Sequence, residues 1–290
     1  LKILFITNTR IGDAILSSGV LHHLVATYPE ARFTVVCGRL PQTLFAAVPR
    51  LDRVIVLKKR RFDLHWWDLW REVRGTRWDM VIDLRRSFLS YFLHAGERHV
   101  IGKANDKVHR VVHQSSVLAL PAPAAPHLYL APHHVAAARQ LIPAGAPVLA
   151  IAPIAAAAEK TWPAENFAAL ARTLLAGPCG GWRIAFFGGP GDAEKAVPLV
   201  DAFPEALKVF GQPDLLTVAA ALTECAAFIG NDSGLAHLAA ASNVPTLAVF
   251  GLSDPIRYAP FGAHFLQAPS RDISSLGVRE VAGAALRLFA

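Results

Sequence analysis

Residues 228–238 read Phe228-Ile229-Gly230-Asn231-Asp232-Ser233-Gly234-Leu235-Ala236-His237-Leu238. An apolar run passes directly into small and polar residues, then into an alanine-rich helical stretch. A short strand without polar alternation is one buried on both faces, as in a parallel sheet covered by helices. The start of the following helix presents unpaired N–H groups and about half a positive charge. Gly234 admits a ligand close to the backbone, and Asp232 or Ser233 is placed to cap the helix. An anion site and an ordinary capped helix are both compatible with this run. His237, one turn in, is positioned to face a bound phosphate. Pro245 to Phe250 then repeats the strand pattern and ends in the polar loop Gly251-Leu252-Ser253-Asp254-Pro255, so two neighbouring strand ends are expected to converge on one cleft.

Outward from this run the same rhythm fills the chain. Strands are expected at Lys2–Thr7, Phe33–Cys37, Val54–Leu57 and Met80–Asp83, with a helix over Asp13–Thr27. The later half gives strands at Val148–Ala152, Arg183–Phe187, Ala206–Val209, Ala226–Ile229 and Thr246–Phe250. Helices fall between them at Phe167–Leu175, Ala193–Val200, Leu216–Leu222 and Leu235–Ala241. Alternation of this kind implies an α/β protein with doubly wound parallel sheets. The Pro/Gly/Ala-rich stretch from Ala131 to Pro147 separates two such blocks, giving expected domains at 1–145 and 146–290. The last helix is a candidate to pack back on the first domain. Ligands are expected at the carboxyl ends of strands, in a cleft between the domains.

The 290 residues are 53% hydrophobic and 18% charged, enough apolar content for sizeable cores. Leu141–Ala158 carries no charge, but Pro143, Gly145, Pro147 and Pro153 would break a spanning helix, so it reads as linker, strand and loop. Three scattered cysteines, Cys37, Cys179 and Cys225, argue against a disulfide framework. With no leader-like opening before the first strand, a cytoplasmic location is expected. Charge is uneven. Residues 1–145 hold 20 Lys and Arg against 10 Asp and Glu, whereas 146–290 hold 9 against 12. The first block is therefore expected to face an anionic partner. Its densest basic run, Lys58-Lys59-Arg60-Arg61, leads into Trp66, Trp67, Trp70 and Trp78. Phe62, Trp66, Leu69, Trp70 and Val73 share a helical stripe read mainly as core, with Trp67 off it beside the basic residues. A basic and aromatic edge suits a membrane interface or a sugar acceptor. No nucleic-acid module signature is present, so no nucleic-acid partner is expected.

Three further loops are candidates for chemistry. Thr7-Asn8-Thr9-Arg10-Ile11-Gly12-Asp13 joins a strand to a helix, with Asp13 either a helix-start carboxylate or a general base. Glu159-Lys160-Thr161-Trp162-Pro163 places Lys160 in a loop after a strand. Gly188-Gly189-Pro190-Gly191-Asp192-Ala193-Glu194 ends another strand, and Glu194 there could accept ribose hydroxyls. No G-x-G-x-x-G fingerprint or P-loop occurs in these loops, and the His pairs lack H-E-x-x-H spacing, so neither a dinucleotide nor a catalytic metal is expected.

Together these pieces resemble glycosyltransferase family 9, the ADP-heptose:lipopolysaccharide heptosyltransferases. The resemblance rests on Arg10-Ile11-Gly12-Asp13, Trp78-Asp79-Met80-Val81-Ile82-Asp83-Leu84, Lys160-Thr161-Trp162-Pro163, Asn231 to Leu238 and Gly251-Leu252-Ser253-Asp254-Pro255, in the family's order. It implies a GT-B fold, two Rossmann-like domains with parallel sheets facing a central cleft, acceptor on the first and nucleotide sugar on the second. It also implies metal-independent, inverting transfer of heptose or a related sugar from an ADP-sugar to a lipopolysaccharide core, with no cofactor. By resemblance Asp13 matches the base and Lys160 the phosphate-contacting lysine. Asp232, Ser233 and Gly234 match the sugar and diphosphate loop, His237 its histidine, and Glu194 the ribose acid. Arg10, Gly12, Lys58, Arg60 and Arg61 are the expected acceptor contacts. The expected partners are the donor, an anionic glycolipid and the inner face of the inner membrane. Where the family carries a Pro-Gly-Ala-type turn and hydroxyl residues before the lysine, this chain has Pro153-Ile154 and Ala155 to Ala158. The residues leave open a GT-B epimerase or transferase with another nucleotide sugar, and a degenerate nucleotide-sugar-binding module.

Overall fold

A computed structural model describes residues 1–288 and divides into two compact units, Leu1–Tyr129 and a second from Leu130 onward. The first unit is built from β1 (Lys2–Ile6), α1 (Ile11–Thr27), β2 (Arg32–Gly38), β3 (Leu51–Leu57), α2 (Leu64–Val73), β4 (Trp78–Asp83), β5 (Ala95–Val100) and α3 (Arg110–Ser115). Its five strands lie in the order β3-β2-β1-β4-β5, and every pairing is parallel. Ile3 to Ile6 are buried, as a strand sandwiched between helices requires.

The second unit contains α4 (Pro132–Leu141), β6 (Val148–Ala152), α5 (Ala164–Leu175), β7 (Arg183–Gly188), α6 (Asp192–Lys195), α7 (Val197–Asp201) and β8 (Leu207–Phe210). It continues with α8 (Leu215–Thr223), β9 (Ala227–Asn231), α9 (Gly234–Ala241), β10 (Thr246–Phe250), α10 (Pro255–Tyr258), β11 (His264–Gln267) and α11 (Val278–Leu286). Its six strands run β11-β10-β9-β6-β7-β8, again all parallel. All five residues of β6, β9 and β10 are buried. Val281, Ala284 and Ala285 carry α11 into the core of this same unit, where it packs on α5 and β10.

The division between units falls earlier than the expected 145/146 boundary, for local reasons. The Ser18 Oγ accepts the His127 N–H at 2.9 Å, and His22 Nδ1 lies 2.8 Å from the Tyr129 hydroxyl, tying residues 127–129 to α1. The Ala131–Pro147 stretch is no simple linker. It forms α4, which packs on α8, with His134 Nε2 3.2 Å from Asp214 Oδ2. Burial holds the His134 imidazole below its ordinary value, against the opposing pull of Asp214.

Other expectations need adjustment too. The expected helix over Ala193–Val200 is two short helices broken at Ala196, ahead of Pro198. The Phe62 to Val73 stripe loses its first member. Phe62 and Asp63 both adopt left-handed backbone (φ 54° and 55°), the helix begins only at Leu64, and Phe62 is 88% exposed. Leu141–Ala158 contains a loop, β6 and a loop, as read. Among the described residues no helix is long and apolar enough to cross a membrane.

One close approach depends on a missing side chain. A Cβ on Gly19 of α1 would stand 2.1 Å from the Ala124 carbonyl oxygen and 2.3 Å from that of Ala125. Gly19→Ala should therefore cost about 1–3 kcal/mol or more in chemical denaturation through overpacking. Gly283→Ala, at a helical site with nothing within 4 Å, should be neutral or stabilising.

Candidate active site

Each sheet reverses its winding direction once. In the second unit the reversal lies between β6 and β9, which pair directly. Loops leaving two such strands diverge and open a crevice at their carboxyl ends, the usual ligand position in open α/β sheets. Lys160 follows β6 and Asp232 follows β9. The structure brings them into an ion pair, Lys160 Nζ donating to Asp232 Oδ2 at 2.7 Å. Asp232 is nearly buried, while the lysine is 38% exposed and accessible to a ligand.

Asn231 holds the two loops together. Its Nδ2 donates to the Pro153 carbonyl at 2.8 Å, and its Oδ1 accepts the Trp162 N–H at 2.9 Å. The Trp162 ring is buried and donates its Nε1–H to Leu276 O at 2.9 Å. This anchors the lysine loop from beneath. Thr161 works within the loop, its hydroxyl accepting from Ala155 N and donating to Ala157 O. Alanines 155–158 therefore hold their shape without side-chain hydroxyls of their own. Gly230 keeps the crevice floor flat: a Cβ there would meet the Phe228 ring at 2.9 Å and Ala152 O at 3.0 Å.

Ser233 occupies the N-cap position of α9 in extended backbone. However, neither it nor Asp232 makes a side-chain cap, contrary to the capping reading. The Ser233 Oγ is buried without a hydrogen-bond partner, and the first N–H groups of α9 lie beside it. His237 is buried on the same helix, one turn further on. The β7 loop is next along the sheet edge. There Asp192 Oδ2 accepts the Gly189 N–H at 2.8 Å and shapes the turn, leaving Glu194 exposed on α6.

The first unit reverses between β1 and β4. Asp13 lies in the first turn of α1, just after the β1 loop, with Arg10 exposed and Gly12 half-buried before it. Asp13 Oδ1 is 3.5 Å from Arg110 Nε, and its backbone carbonyl accepts from Gln114 at 3.3 Å. Across the reversal, the buried Asp83 carboxylate accepts from Arg85 N, Ser87 N and Ser87 Oγ, fixing the β4 loop. Arg85 Nη1 then reaches Thr9 Oγ1 at 3.4 Å. Lys58, Arg60 and Arg61 follow β3 at the same edge of the sheet. Arg60 is paired with Asp68 at 2.6 Å, Lys58 is exposed, and the Arg61 guanidinium lies 5.7 Å from the Phe62 ring.

Sequence reading did not single out Arg85, Arg110 or Asn231. Arg85 was discoverable as a cation two residues past an expected strand end. Arg110 comes from a helix that sequence periodicity did not mark. The three cysteines are buried and free, and burial pushes the Cys37 and Cys225 thiols up to about 12, which suits packing rather than nucleophilic chemistry. Among the described residues no group of three or more His, Cys, Asp or Glu side chains is placed to hold a metal ion.

Two parallel-sheet units, each with charged groups gathered where its winding reverses, define a two-domain protein of the GT-B class. The chain belongs to glycosyltransferase family 9 (heptosyltransferase), whose model matches residues 106–272. It is 35% identical to Lipooligosaccharide heptosyltransferase 2 of Haemophilus influenzae over 106 residues, covering 35% of this chain and 30% of that one. With Lipopolysaccharide heptosyltransferase 2 of Escherichia coli the identity is 24% over 295 residues, 88% of this chain and 84% of the other. The solved structure of E. coli heptosyltransferase WaaC with ADP superposes with a TM-score of 0.78 at 19% identity, covering 99% of this chain and 100% of that one. The protein is a glycosyltransferase with the GT-B fold.

Loss of Asn231 tests the anchoring. Asn231→Ala leaves a buried N–H and a buried carbonyl without partners, at about 1–3 kcal/mol each. Thermal or urea unfolding should show a drop of about 2–6 kcal/mol, while Lys195→Ala, on an exposed side chain of α6, should change stability little.

Proposed function

We propose that the protein transfers heptose, or a closely related sugar, from an ADP-sugar to a lipopolysaccharide core acceptor, with inversion and without a metal. The observation that carries this reading is the Lys160–Asp232 pair at the reversal point of the second sheet, beside the N-terminus of α9.

The chemistry divides between these groups. An ionised carboxylate only accepts hydrogen bonds, so Asp232 suits sugar hydroxyls, whereas Lys160, the α9 N–H groups, the Ser233 hydroxyl and Gly234 suit the diphosphate. His237 supports that loop, and Glu194 accepts ribose hydroxyls. On the first unit Asp13 takes the proton of the acceptor hydroxyl, and Arg110, with its Nε 3.5 Å from Asp13 Oδ1, orients the carboxylate. The new bond forms from that oxygen to the anomeric carbon. The bond from carbon to diphosphate oxygen breaks, and ADP departs with the electron pair. Its growing negative charge meets Lys160 and the helix N-terminus. Preorganised donors of this kind are typically worth about 2.7–4 kcal/mol each. Arg10, Gly12, Lys58, Arg60 and Arg61 contact an anionic acceptor on the basic unit. An enzyme with a glycolipid acceptor works at a membrane face, which places it peripherally at the inner membrane on the cytoplasmic side.

The Ala155–Ala158 run favours a second reading, a module that binds the nucleotide sugar without transferring it. ADP binding with no transfer to any core acceptor would select it.

Two variants check the roles. Asp13→Asn should lower kcat about 10²–10⁴-fold, the range for loss of a general base, while ADP affinity by calorimetry stays near wild type. Unchanged turnover would remove Asp13 as the base. Lys160→Ala should weaken ADP binding about tenfold or more, corresponding to loss of a charge-assisted contact. Equal affinity would reject its phosphate role.

A further inference from the structure

The exposed aromatic residues of the first unit are concentrated on one strip. Phe62 (88% exposed), Trp67 (56%), Phe88 (84%), Tyr91 (62%) and Phe92 (70%) belong to α2 and its lead-in or to the turn at residues 88–92. Single exposed apolar residues are unremarkable, but a contiguous group of this size marks a surface that meets something. The strip contains a groove of about 290 Å³ lined by Trp66, Trp67, Trp70, Leu89 and Phe92. Trp67 stacks on Trp70 at 4.7 Å, and Trp70 Nε1 donates to Phe92 O at 3.3 Å, so the groove walls are fixed to each other.

Cations stand at both ends. Lys58 to Arg61 precede α2 at one end. At the other, the Arg74 guanidinium covers the Trp70 ring at 4.7 Å and opens a second basin of about 500 Å³ lined by Arg74, Gly75, Thr76, Arg77, His94 and Gly96, among others. Phe92 borders the first basin, and His94, two residues further along the chain, borders the second. Arg85 links the strip to the Asp13 edge of the sheet, with its guanidinium 5.9 Å from the Trp66 ring and its Nη1 3.4 Å from Thr9.

We infer that this strip is a docking surface for an anionic phospholipid bilayer, with the aromatic side chains seated at the headgroup level and the flanking cations against lipid phosphates. The charge pattern selects this occupant. Indole and phenyl groups bracketed by Lys and Arg match a membrane interface, where each basic residue near an anionic surface adds about 1 kcal/mol. A second copy of the chain would bring the same cations face to face. The inference rests on the proposed glycolipid acceptor for its purpose, since a surface beside the Asp13 edge would present that edge to lipid-borne sugars.

Cosedimentation with vesicles that contain no glycolipid provides the test. Wild-type protein should bind vesicles of phosphatidylcholine mixed with phosphatidylglycerol, should bind pure phosphatidylcholine weakly, and should be released by raised salt. The combined variant Trp67→Ser/Phe88→Ser/Phe92→Ser, altered at exposed positions, should lose about tenfold or more of this binding. Its thermal unfolding and its turnover on a delipidated, soluble core acceptor should be unchanged. Lys59→Glu should selectively weaken binding to the anionic vesicles. Equal vesicle binding by wild type and the triple variant overturns the inference. So does a wild-type dimer in light scattering that becomes monomeric in the triple variant and ignores vesicles. Vesicle binding that persists in a protein unable to transfer sugar leaves the docking surface standing and removes the proposed reaction instead.

Discussion

The arrangement depends on the side chain of Asn231. A strand end and a neighbouring strand's loop have no backbone ladder to hold them once the sheet stops. Asn231 supplies the missing connection, bonding to the Pro153 carbonyl with one end of its amide and to the Trp162 N–H with the other. Both partners are buried, so the bonds cannot be exchanged for water at low cost. With that loop fixed, Lys160 meets Asp232 at 2.7 Å, and the cation stands beside the open end of α9. A lysine on an unanchored loop would spend side-chain entropy to reach a diphosphate. Here much of that ordering is complete before a ligand arrives.

The two units apply the same topological device to different chemistry. Each sheet reverses its winding beside its first strand, and each reversal gathers groups from two loops. In the second unit the product is a cation beside helix N–H groups, suited to a leaving diphosphate. In the first it is a carboxylate held by Arg110, opposite a β4 loop stiffened by the buried Asp83. Charge follows the same division. Residues 1–129 carry 19 Lys and Arg against 10 Asp and Glu, and the remainder carries 10 against 12. On the proposed reaction, the anionic acceptor would fall to the unit that holds the carboxylate, where the excess of cations would offset charge repulsion.

Much of this was legible in the sequence where local chemistry determines local structure. The fully apolar runs at Val148–Ala152 and Thr246–Phe250 form buried parallel strands because no polar alternation allows another placement. The Asp232–Gly234 loop falls at a strand-to-helix junction as read. What escaped was decided by contacts remote in sequence. The strand β5, Ala-Gly-Glu-Arg-His-Val, is polar and half exposed at a sheet edge, so it lacks the apolar signature. The helix α4 hides in an alanine- and proline-rich stretch and owes its place to packing on α8. The Phe62 break depends on left-handed backbone that periodicity cannot register. The pairing of Arg110 with Asp13 joins residues nearly a hundred positions apart, and no spacing rule connects them.

The central claim is that the Lys160 crevice receives a nucleotide diphosphate. A crystal structure of the protein soaked with ADP tests it most directly. The account predicts density for the two phosphates at the first turn of α9, within hydrogen-bond reach of Lys160 Nζ and the Ser233–Gly234 backbone. Density for the nucleotide at another surface, with Lys160 still paired only to Asp232, would contradict it.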